Sequence, residues 1–133
     1  MPTFTIKSHK RNEFVEITDE VRAALKTAGI QNGICIVYCP HTTAAVTINE
    51  NADPDVVHDM LAYLNRAIPK EQPDFRHGEG NSDSHIKASL VGPSVTLLID
   101  QGALVLGRWQ GIYFCEFDGP RTRTVHVSFI AGK

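Results

Sequence analysis

The chain has 133 residues, of which 42% are hydrophobic and 21% are charged, with a formal net charge of -2. This length fits one domain with a real core and is too short for a (β/α)8 barrel, and the slightly acidic balance argues against a general nucleic-acid binder. No apolar run reaches the ~20 residues that span a bilayer, and the first residues lack the apolar segment of a signal peptide. We therefore expect a cytoplasmic protein without a membrane partner. From the charge balance we also expect no nucleic-acid partner.

The first third of the chain predicts a hairpin followed by a helix. Short apolar stretches at 4–7 and 14–17 are expected to pair around a polar tip at 8–12. Thr18 is then expected to cap a helix with two acidic residues in its first turn, where negative charge meets the positive end of the helix dipole. Gly29 is expected to end that helix.

The middle of the chain predicts two strands and two helices. Residues 34–39 are apolar on both faces, which indicates a central strand, whereas residues 43–49 alternate as a half-buried strand does. Asp53 and Pro54 predict a helix start, as N-cap and first helical residue. A shorter helix is expected from about Ser84 to Val91.

The last third is rich in strands separated by glycine-containing turns. The expected strands are 95–99, 103–106, 112–117 and 124–130. Strands and helices in this order predict an α+β fold: one compact domain over residues 1–133, with mostly antiparallel β-sheet and two to three helices.

Residues 77–87, with the sequence HGEGNSDSHIK, are unusually polar and contain a single aliphatic side chain. This mixture is typical of a loop that binds a metal or a phosphate. His77 and His85, with Asp83 or Glu79, would suit Zn²⁺ or a similar ion. The spacing matches no known zinc signature, so two solvated imidazoles are the alternative interpretation.

Glu116 lies in an apolar strand, where an ionised carboxylate must be protonated, paired or bound to metal. Asp118 lies two residues on and faces the same way, and Arg121 and Arg123 are natural partners. This region therefore predicts either an acid–base pocket or a salt-bridged turn. His41 follows the central strand, a position where ligands often bind, although a hydrogen bond to the turn would also explain it.

Glu50 and Asn51 precede a helix N-terminus, which is a ready anion site. A capped turn without function would explain Asp53 but not Glu50 and Asn51, which are candidate site residues. Lys87 and Arg108 are the cations nearest these clusters, and either could neutralise a phosphate. Trp109 follows a glycine turn and could be a stacking platform or a lid over the core, of which we favour the lid.

The three cysteines, an odd number in apolar surroundings, indicate reduced, buried thiols. Cys35 and Cys39 lie on one strand about 13 Å apart, so they cannot chelate one ion as a pair. The third is Cys115.

Several segments taken together resemble the YjbQ family of small cytoplasmic proteins. The resemblance covers nearly the whole chain and is weakest before residue 33. Arg108 departs from it, because threonine is expected there. The matching segments are His41-Thr42-Thr43-Ala44-Ala45, Asn49 to Pro54, Gly80 to Ser89, Gly107 to Ile112 and Glu116 to Arg121.

The resemblance implies a compact α+β fold, a homotrimer and an enzyme with secondary thiamine-phosphate synthase activity. That reaction joins hydroxymethylpyrimidine diphosphate to a thiazole phosphate and releases pyrophosphate. Cations such as Lys87 or Arg121 would stabilise the leaving group, and Trp109, Gln110 and Glu116 would form a wall for the pyrimidine.

From the residues and the resemblance together, the expected catalytic residues are His41, Glu50, His85 and Glu116. The expected substrate-binding residues are Asn51, Asn81, Lys87, Trp109, Gln110 and Arg121. The expected ligands of a divalent ion, Mg²⁺ or Zn²⁺, are His77, His85 and Asp83.

Two other functions fit the same residues. One is a metal-dependent hydrolase of a small phosphorylated metabolite, in which the ion activates water. The other is a module that binds such a metabolite without turning it over. Both functions, like the synthase, predict a small phosphorylated ligand.

Overall fold

The computed structural model describes all 133 residues as eight strands and three helices. The strands are β1 (Thr3–Lys7), β2 (Glu13–Glu16), β3 (Gly33–Tyr38), β4 (Ala44–Glu50), β5 (Ser94–Asp100), β6 (Ala103–Leu104), β7 (Gln110–Glu116) and β8 (Thr122–Ala131). The helices are α1 (Thr18–Ala28), α2 (Pro54–Ala67) and α3 (Ser82–Val91).

The strands form two antiparallel sheets that pack face to face. One sheet has five strands in the order β1-β8-β3-β5-β6, and the other has three in the order β2-β7-β4. Their facing side chains make the main core, because alternate residues of each strand point to the same side. Val37 and Val127 from the larger sheet and Val46 and Phe114 from the smaller one all belong to it.

A third layer covers the outer face of the three-stranded sheet. Ala88 of α3 joins Ala45, Cys115 and Phe117 in a second buried cluster, and Val57 of α2 packs against it. The predicted α+β class, with mostly antiparallel sheet and a single domain, is therefore confirmed.

The predicted N-terminal hairpin is wrong. β1 pairs with β8, and β2 pairs with β7 of the other sheet. A two-stranded hairpin is marginally stable by itself, whereas each of these short strands gains a longer neighbour in a sheet. The polar segment between them, residues 8–12, therefore carries the chain from one sheet to the other.

The helix boundaries follow local signals closely. Asp53 caps α2, since its Oδ1 accepts a hydrogen bond of 2.9 Å from the backbone N–H of Asp55. Gly29 ends α1 in the left-handed conformation, at φ 68°. Thr18 is the first helical residue rather than the cap, because its hydroxyl donates to Glu16 and accepts from the N–H of Ile112.

The three cysteines are buried and unpaired, as predicted. Burial raises the pKa of Cys35 to about 11, so this thiol stays protonated. No helix of the chain combines the length and the apolar character needed to cross a bilayer.

The topology gathers several loop and strand ends at one edge of the sandwich. The first residue of β4, Ala44, lies beside the last residue of β7, Glu116. The segment 117–121 then leads from β7 into β8, and the start of α3 packs over the same edge, with Ser84 donating to the carbonyl of Phe117.

Candidate functional site

A polar cavity of about 310 Å³ opens at this edge. No hydrophobic residue lines it, which suits a small, strongly polar ligand rather than an apolar one. The lining residues are Pro40, His41, Thr42, Thr43, Glu79, Asn81, His85, Asp118, Arg121 and Arg123. The structure thus brings together four residues expected from the sequence: His41, Asn81, His85 and Arg121.

His41 is held as a neutral imidazole. Its Nε2 accepts a hydrogen bond of 2.9 Å from the backbone N–H of Thr124. Burial, and next the positive charge of Arg123, lower the pKa of His41. The proton of the neutral ring therefore sits on Nδ1, which remains as a donor for a ligand.

His85 projects into the cavity from the first half of α3, and its ring makes no hydrogen bond to the protein. The ring of His77 lies next to it, with centroids 5.6 Å apart and planes at 83°. The predicted proximity of these two imidazoles is therefore found. His85 is free to exchange a proton with a ligand, because no protein group occupies either ring nitrogen.

Asn81 has a buried side-chain atom without a hydrogen-bond partner. Its Nδ2 donates to Oε2 of Glu79 at 3.1 Å and to Oδ2 of Asp118 at 2.8 Å. Its Oδ1 is buried and has no hydrogen-bond partner. A buried acceptor in this condition is rare in folded proteins.

Arg121 supplies the exposed positive charge of the cavity. Its Nε donates to the backbone carbonyl of Asp118 at 2.8 Å, and its Nη2 donates to Oδ2 of Asp118 at 3.0 Å. The side chain is still 49% exposed. Arg121 is therefore oriented by Asp118 while its remaining Nη1 is available to an anion.

Glu116 does not reach the cavity, which corrects its predicted catalytic role. Its Oε1 accepts from Ser8 Oγ at 2.7 Å and from Arg123 Nε at 2.8 Å, and its Oε2 accepts from the N–H of Asp118. Burial acts to raise the pKa of Glu116, but these hydrogen bonds outweigh burial and lower it. Glu116 is an ionised, fully paired carboxylate that fixes Arg123 in place.

Asp83 is likewise unavailable as a metal ligand, and Lys87 is unavailable to substrate. Arg11 binds both carboxylate oxygens of Asp83 at 2.9 Å, and Lys87 Nζ lies 3.1 Å from Oδ2. Lys87 is 1% exposed and also donates to the amide oxygens of Asn12 and Asn65. No three His, Cys, Asp or Glu side chains converge as a metal site, so the predicted trio of His77, His85 and Asp83 does not form.

Four other expected site residues lie at the opposite end of the three-stranded sheet. In the β4–β7 pair, Glu50 stands beside Gln110, six residues along the strand from Ala44 beside Glu116. This places Glu50 and Gln110 about 20 Å from the cavity edge at ~3.3 Å per residue. The predicted roles of Glu50 and Gln110 at a single shared site are therefore not supported within one chain.

Asn51 and Trp109 share that distant end. Asn51 Nδ2 donates to Glu16 at 3.0 Å, and the N–H of Asn51 donates to the carbonyl of Trp109 at 2.9 Å. Trp109 is 53% exposed, and the guanidinium of Arg108 lies 4.8 Å from its ring centroid. The interpretation of Trp109 as a lid over the core is wrong, since its ring packs on the surface.

The cavity also contains residues that were not among those assigned a catalytic, substrate-binding or metal-binding role. Asp118 and the pair Thr42–Thr43 line it, and Arg123 closes its floor. The sequence does point to Asp118, which follows Glu116 by two residues and belongs to the predicted acid–base pocket. Thr42 and Thr43 lie in the matched segment that begins at His41, but their residue type alone does not indicate a site, because hydroxyl residues after a strand are common in ordinary turns.

These features define a class: a single-domain antiparallel sandwich, covered by helices on one face, with a histidine-containing polar cavity at one edge. Residues 2–132 match the family model described as UPF0047 protein YjbQ-like. The chain therefore belongs to the YjbQ/UPF0047 family, and the resemblance noted in the sequence is confirmed.

Individual relatives agree over almost the full length. The chain is 52% identical to the UPF0047 protein YugU of Bacillus subtilis, covering 98% of both chains. It is also 52% identical to the UPF0047 protein MJ1081 of Methanocaldococcus jannaschii, covering 98% of this chain and 94% of that one. A crystal structure from Clostridium acetobutylicum, of a protein described as an uncharacterized conserved protein of this family, superposes with a TM-score of 0.96 at 50% identity, covering 98% of this chain and 100% of that one.

The synthase activity implied by the resemblance is corrected by these findings. The family and the relatives carry names that state no reaction with thiamine precursors. The structure also separates the residues proposed for the pyrimidine wall, since Trp109 lies at the far end of β7 from Glu116. Lys87, one of the two proposed cations, is buried against Asp83 and cannot bind pyrophosphate.

Proposed function

We propose that this chain is an enzyme that hydrolyses a small phosphate ester in the polar cavity. The observation that carries the proposal is the cavity itself, in which an unpartnered imidazole, a neutral imidazole and an exposed guanidinium face one space of about 310 Å³. That volume is at the small end of ligand pockets.

Arg121 binds the phosphoryl group in this proposal. The guanidinium is pre-oriented by Asp118 and keeps free N–H groups, and guanidinium–phosphate pairs are strong because their hydrogen bonds are charge-assisted. His41 adds a neutral donor, Nδ1–H, whose direction is fixed by the bond from Thr124 to the other ring nitrogen. Both groups would stabilise the negative charge of the phosphoryl oxygens.

His85 acts as the proton carrier. A water molecule attacks phosphorus while His85 takes one proton from it, and the same proton passes to the ester oxygen as the bond from phosphorus to that oxygen breaks. The products are the free alcohol and inorganic phosphate. His85 suits this role because its ring lines the cavity without a protein partner.

A metal-assisted form of the same hydrolysis is the second candidate, and one observation favours it. The rings of His77 and His85 are 5.6 Å apart and nearly perpendicular, a separation compatible with two imidazoles on one Zn²⁺ at nitrogen–metal distances of about 2.0–2.1 Å. The divalent cofactor stays a prediction that elemental analysis of the purified protein, followed by chelator treatment, would test.

The proposed hydrolysis is tested by measuring phosphate release from a panel of small phosphate monoesters. We expect His85→Ala to lower the rate at least about a hundredfold, as loss of a proton carrier does, with an unchanged unfolding transition. Arg121→Gln should mainly raise KM, since it removes a binding charge. His58→Ala is the matched control, because that imidazole is exposed on α2 and pairs only with Asp59.

Two outcomes would contradict the proposal. One is the absence of phosphate release from every ester, with tight binding of some of them, which would favour the non-catalytic binding module. The other is an equal rate of phosphate release by His85→Ala and by the unmodified protein, which would indicate that a contaminant releases the phosphate.

The assembly and location implied by the resemblance stay proposals too. We propose a homotrimer in the cytoplasm. Sedimentation equilibrium would test the trimer, since it should give three times the 14.7 kDa mass of the chain, and fractionation of cells would test the location.

A further inference from the structure

Asn81 is held in one orientation by its two neighbours. Oε2 of Glu79 and Oδ2 of Asp118 are carboxylate oxygens, which only accept, so the amide nitrogen must face both of them. The amide oxygen is thereby directed away from these carboxylates. Asn81 also precedes α3 without capping it, because its side chain makes no hydrogen bond to the helix.

The amide oxygen of Asn81 consequently has no donor. The residue is only 5% exposed, and Oδ1 is buried without a partner although the residue lines the cavity. Such an acceptor has lost its hydrogen bonds to water without replacement, which is unfavourable unless a bound group donates to it.

The side-chain amide of Asn81, through its nitrogen, lies close to the proposed phosphate-binding cation. Asp118 Oδ2 accepts from Asn81 Nδ2 at 2.8 Å and from Arg121 Nη2 at 3.0 Å. Two groups that share one acceptor atom are within about 6 Å of each other. A molecule of two or three carbon atoms can therefore reach both the guanidinium and the amide.

We propose that Asn81 Oδ1 selects the substrate by accepting a hydrogen bond from its alcohol part. The ligand is then a small phosphate ester that carries a hydroxyl or an ammonium group next to the ester carbon. This inference rests on the proposed function, since it assigns the phosphate to Arg121. A metal ion is the less suitable occupant, because no three His, Cys, Asp or Glu side chains converge here and Glu79 and Asp118 already accept from Asn81.

Three matched probes test the inference by equilibrium binding in the presence of a chelator: 2-hydroxyethyl phosphate, 2-aminoethyl phosphate and ethyl phosphate. We expect at least one of the first two to bind about tenfold or more tightly than ethyl phosphate, because a site built to hydrogen-bond a donor rejects the analogue without it. Which of the two binds tighter identifies the donor.

Variants assign the preference to Asn81. Asn81→Ala should reduce the preference to about twofold by weakening the donor-bearing ester, while ethyl phosphate keeps its affinity. Asn49→Ala is the control, because that amide is exposed at the other end of β4 and bonds only to the N–H of Glu50. The comparison of the three esters on the unmodified protein needs no variant, so it decides the matter even if Asn81→Ala fails to fold.

Equal binding of all three esters would overturn the inference, as would a preference that survives in Asn81→Ala. Failure of all three esters to bind would overturn it as well. Phosphate release separates it from the proposed function: preferential binding without release refutes the hydrolysis alone, and release without preference refutes the role of Asn81 alone.

Discussion

Glu116 and Arg123 form an ion pair that is sealed beneath the cavity. The guanidinium donates through Nε to Oε1 at 2.8 Å and through Nη2 to Oε2, and it also donates to the hydroxyl of Thr43 at 2.9 Å. Both side chains are buried. The pair joins the end of β7 to the start of β8. Because Arg123 also binds Thr43, the pair fixes the backbone segment that carries His41.

Replacing Glu116 should destabilise the fold. In Glu116→Gln the buried guanidinium of Arg123 loses its counter-charge, and breaking a buried pair in this way costs about 3–5 kcal/mol. Urea denaturation followed by circular dichroism would measure the free energy of unfolding. Asp19→Asn removes an exposed charge in the first turn of α1 that pairs with Arg22 at 3.6 Å, and it should cost at most about 1 kcal/mol. Equal effects of the two substitutions would refute the structural role.

The second buried ion pair predicts an asymmetry between its partners. Asp83→Asn removes the one negative charge that faces both Arg11 and Lys87, so it should cost about 3–5 kcal/mol of unfolding free energy. Lys87→Met should cost clearly less, because Asp83 keeps its two-bond contact with Arg11 and the Met side chain fills the buried space. The same denaturation experiment measures both variants, and a larger loss in Lys87→Met would contradict the arrangement.

His41 should make stability depend on pH in a defined direction. Because its pKa is lowered in the folded protein from the ordinary 6.5, the unfolded chain binds the proton more readily. The stability due to the neutral ring is therefore fully present above pH 6.5 and is lost as pH falls from there to the lowered value. His41→Gln should show a smaller drop in unfolding free energy between pH 7.5 and pH 5 than the unmodified protein.

The comparison is matched, because the other five of the six histidines are present in both proteins. A pH dependence that is unchanged by His41→Gln would show that the ring is not held neutral by its surroundings. At lower pH both proteins should lose further stability, since the pKa values of Glu116 and Asp83 are lowered and their contribution is lost as pH falls through those values.

Gly119 is expected to tolerate no side chain. An added Cβ would overlap the carbonyl oxygen of Lys10 and approach Ser8 Oγ and Glu116 Cγ, so Gly119→Ala must displace the backbone around the buried pair. Thermal unfolding should show a lower Tm for this variant. Gly78→Ala is the control with no atom within 4 Å of the new Cβ, and a Tm as low as that of Gly119→Ala would contradict the close packing at Gly119.

Much of the secondary structure could be predicted from short stretches of sequence. Asp53 with Pro54, the glycine at 29 and the apolar run 34–39 each specify an element through interactions within a few residues. The prediction of an N-terminal hairpin was wrong because the alternation in residues 4–7 and 14–17 indicates that each segment is a strand but not which strand it pairs with. Register with β8 and β7 depends on residues about a hundred positions away.

The same distinction between local signals and long-range contacts applies to the candidate site. His77 and His85 could be placed together because they belong to one short segment. Glu50 and His41 also looked like neighbours in sequence, but β4 runs between them and separates them by its length. The partner of Glu116 was predicted as an arginine, and only the antiparallel return of the chain into β8 made it Arg123 rather than Arg121.

The sequence by itself determined the α+β class, the buried thiols, the main helix starts and the family, because periodicity, caps and motifs are properties of adjacent residues. The tertiary structure decided which polar groups meet: Arg11 binds Asp83 across 72 positions and His41 accepts from Thr124 across 83. Such contacts arise from sheet pairing and layer packing, which bring distant segments together and determine whether a charged side chain is a buried partner or a group exposed to a ligand.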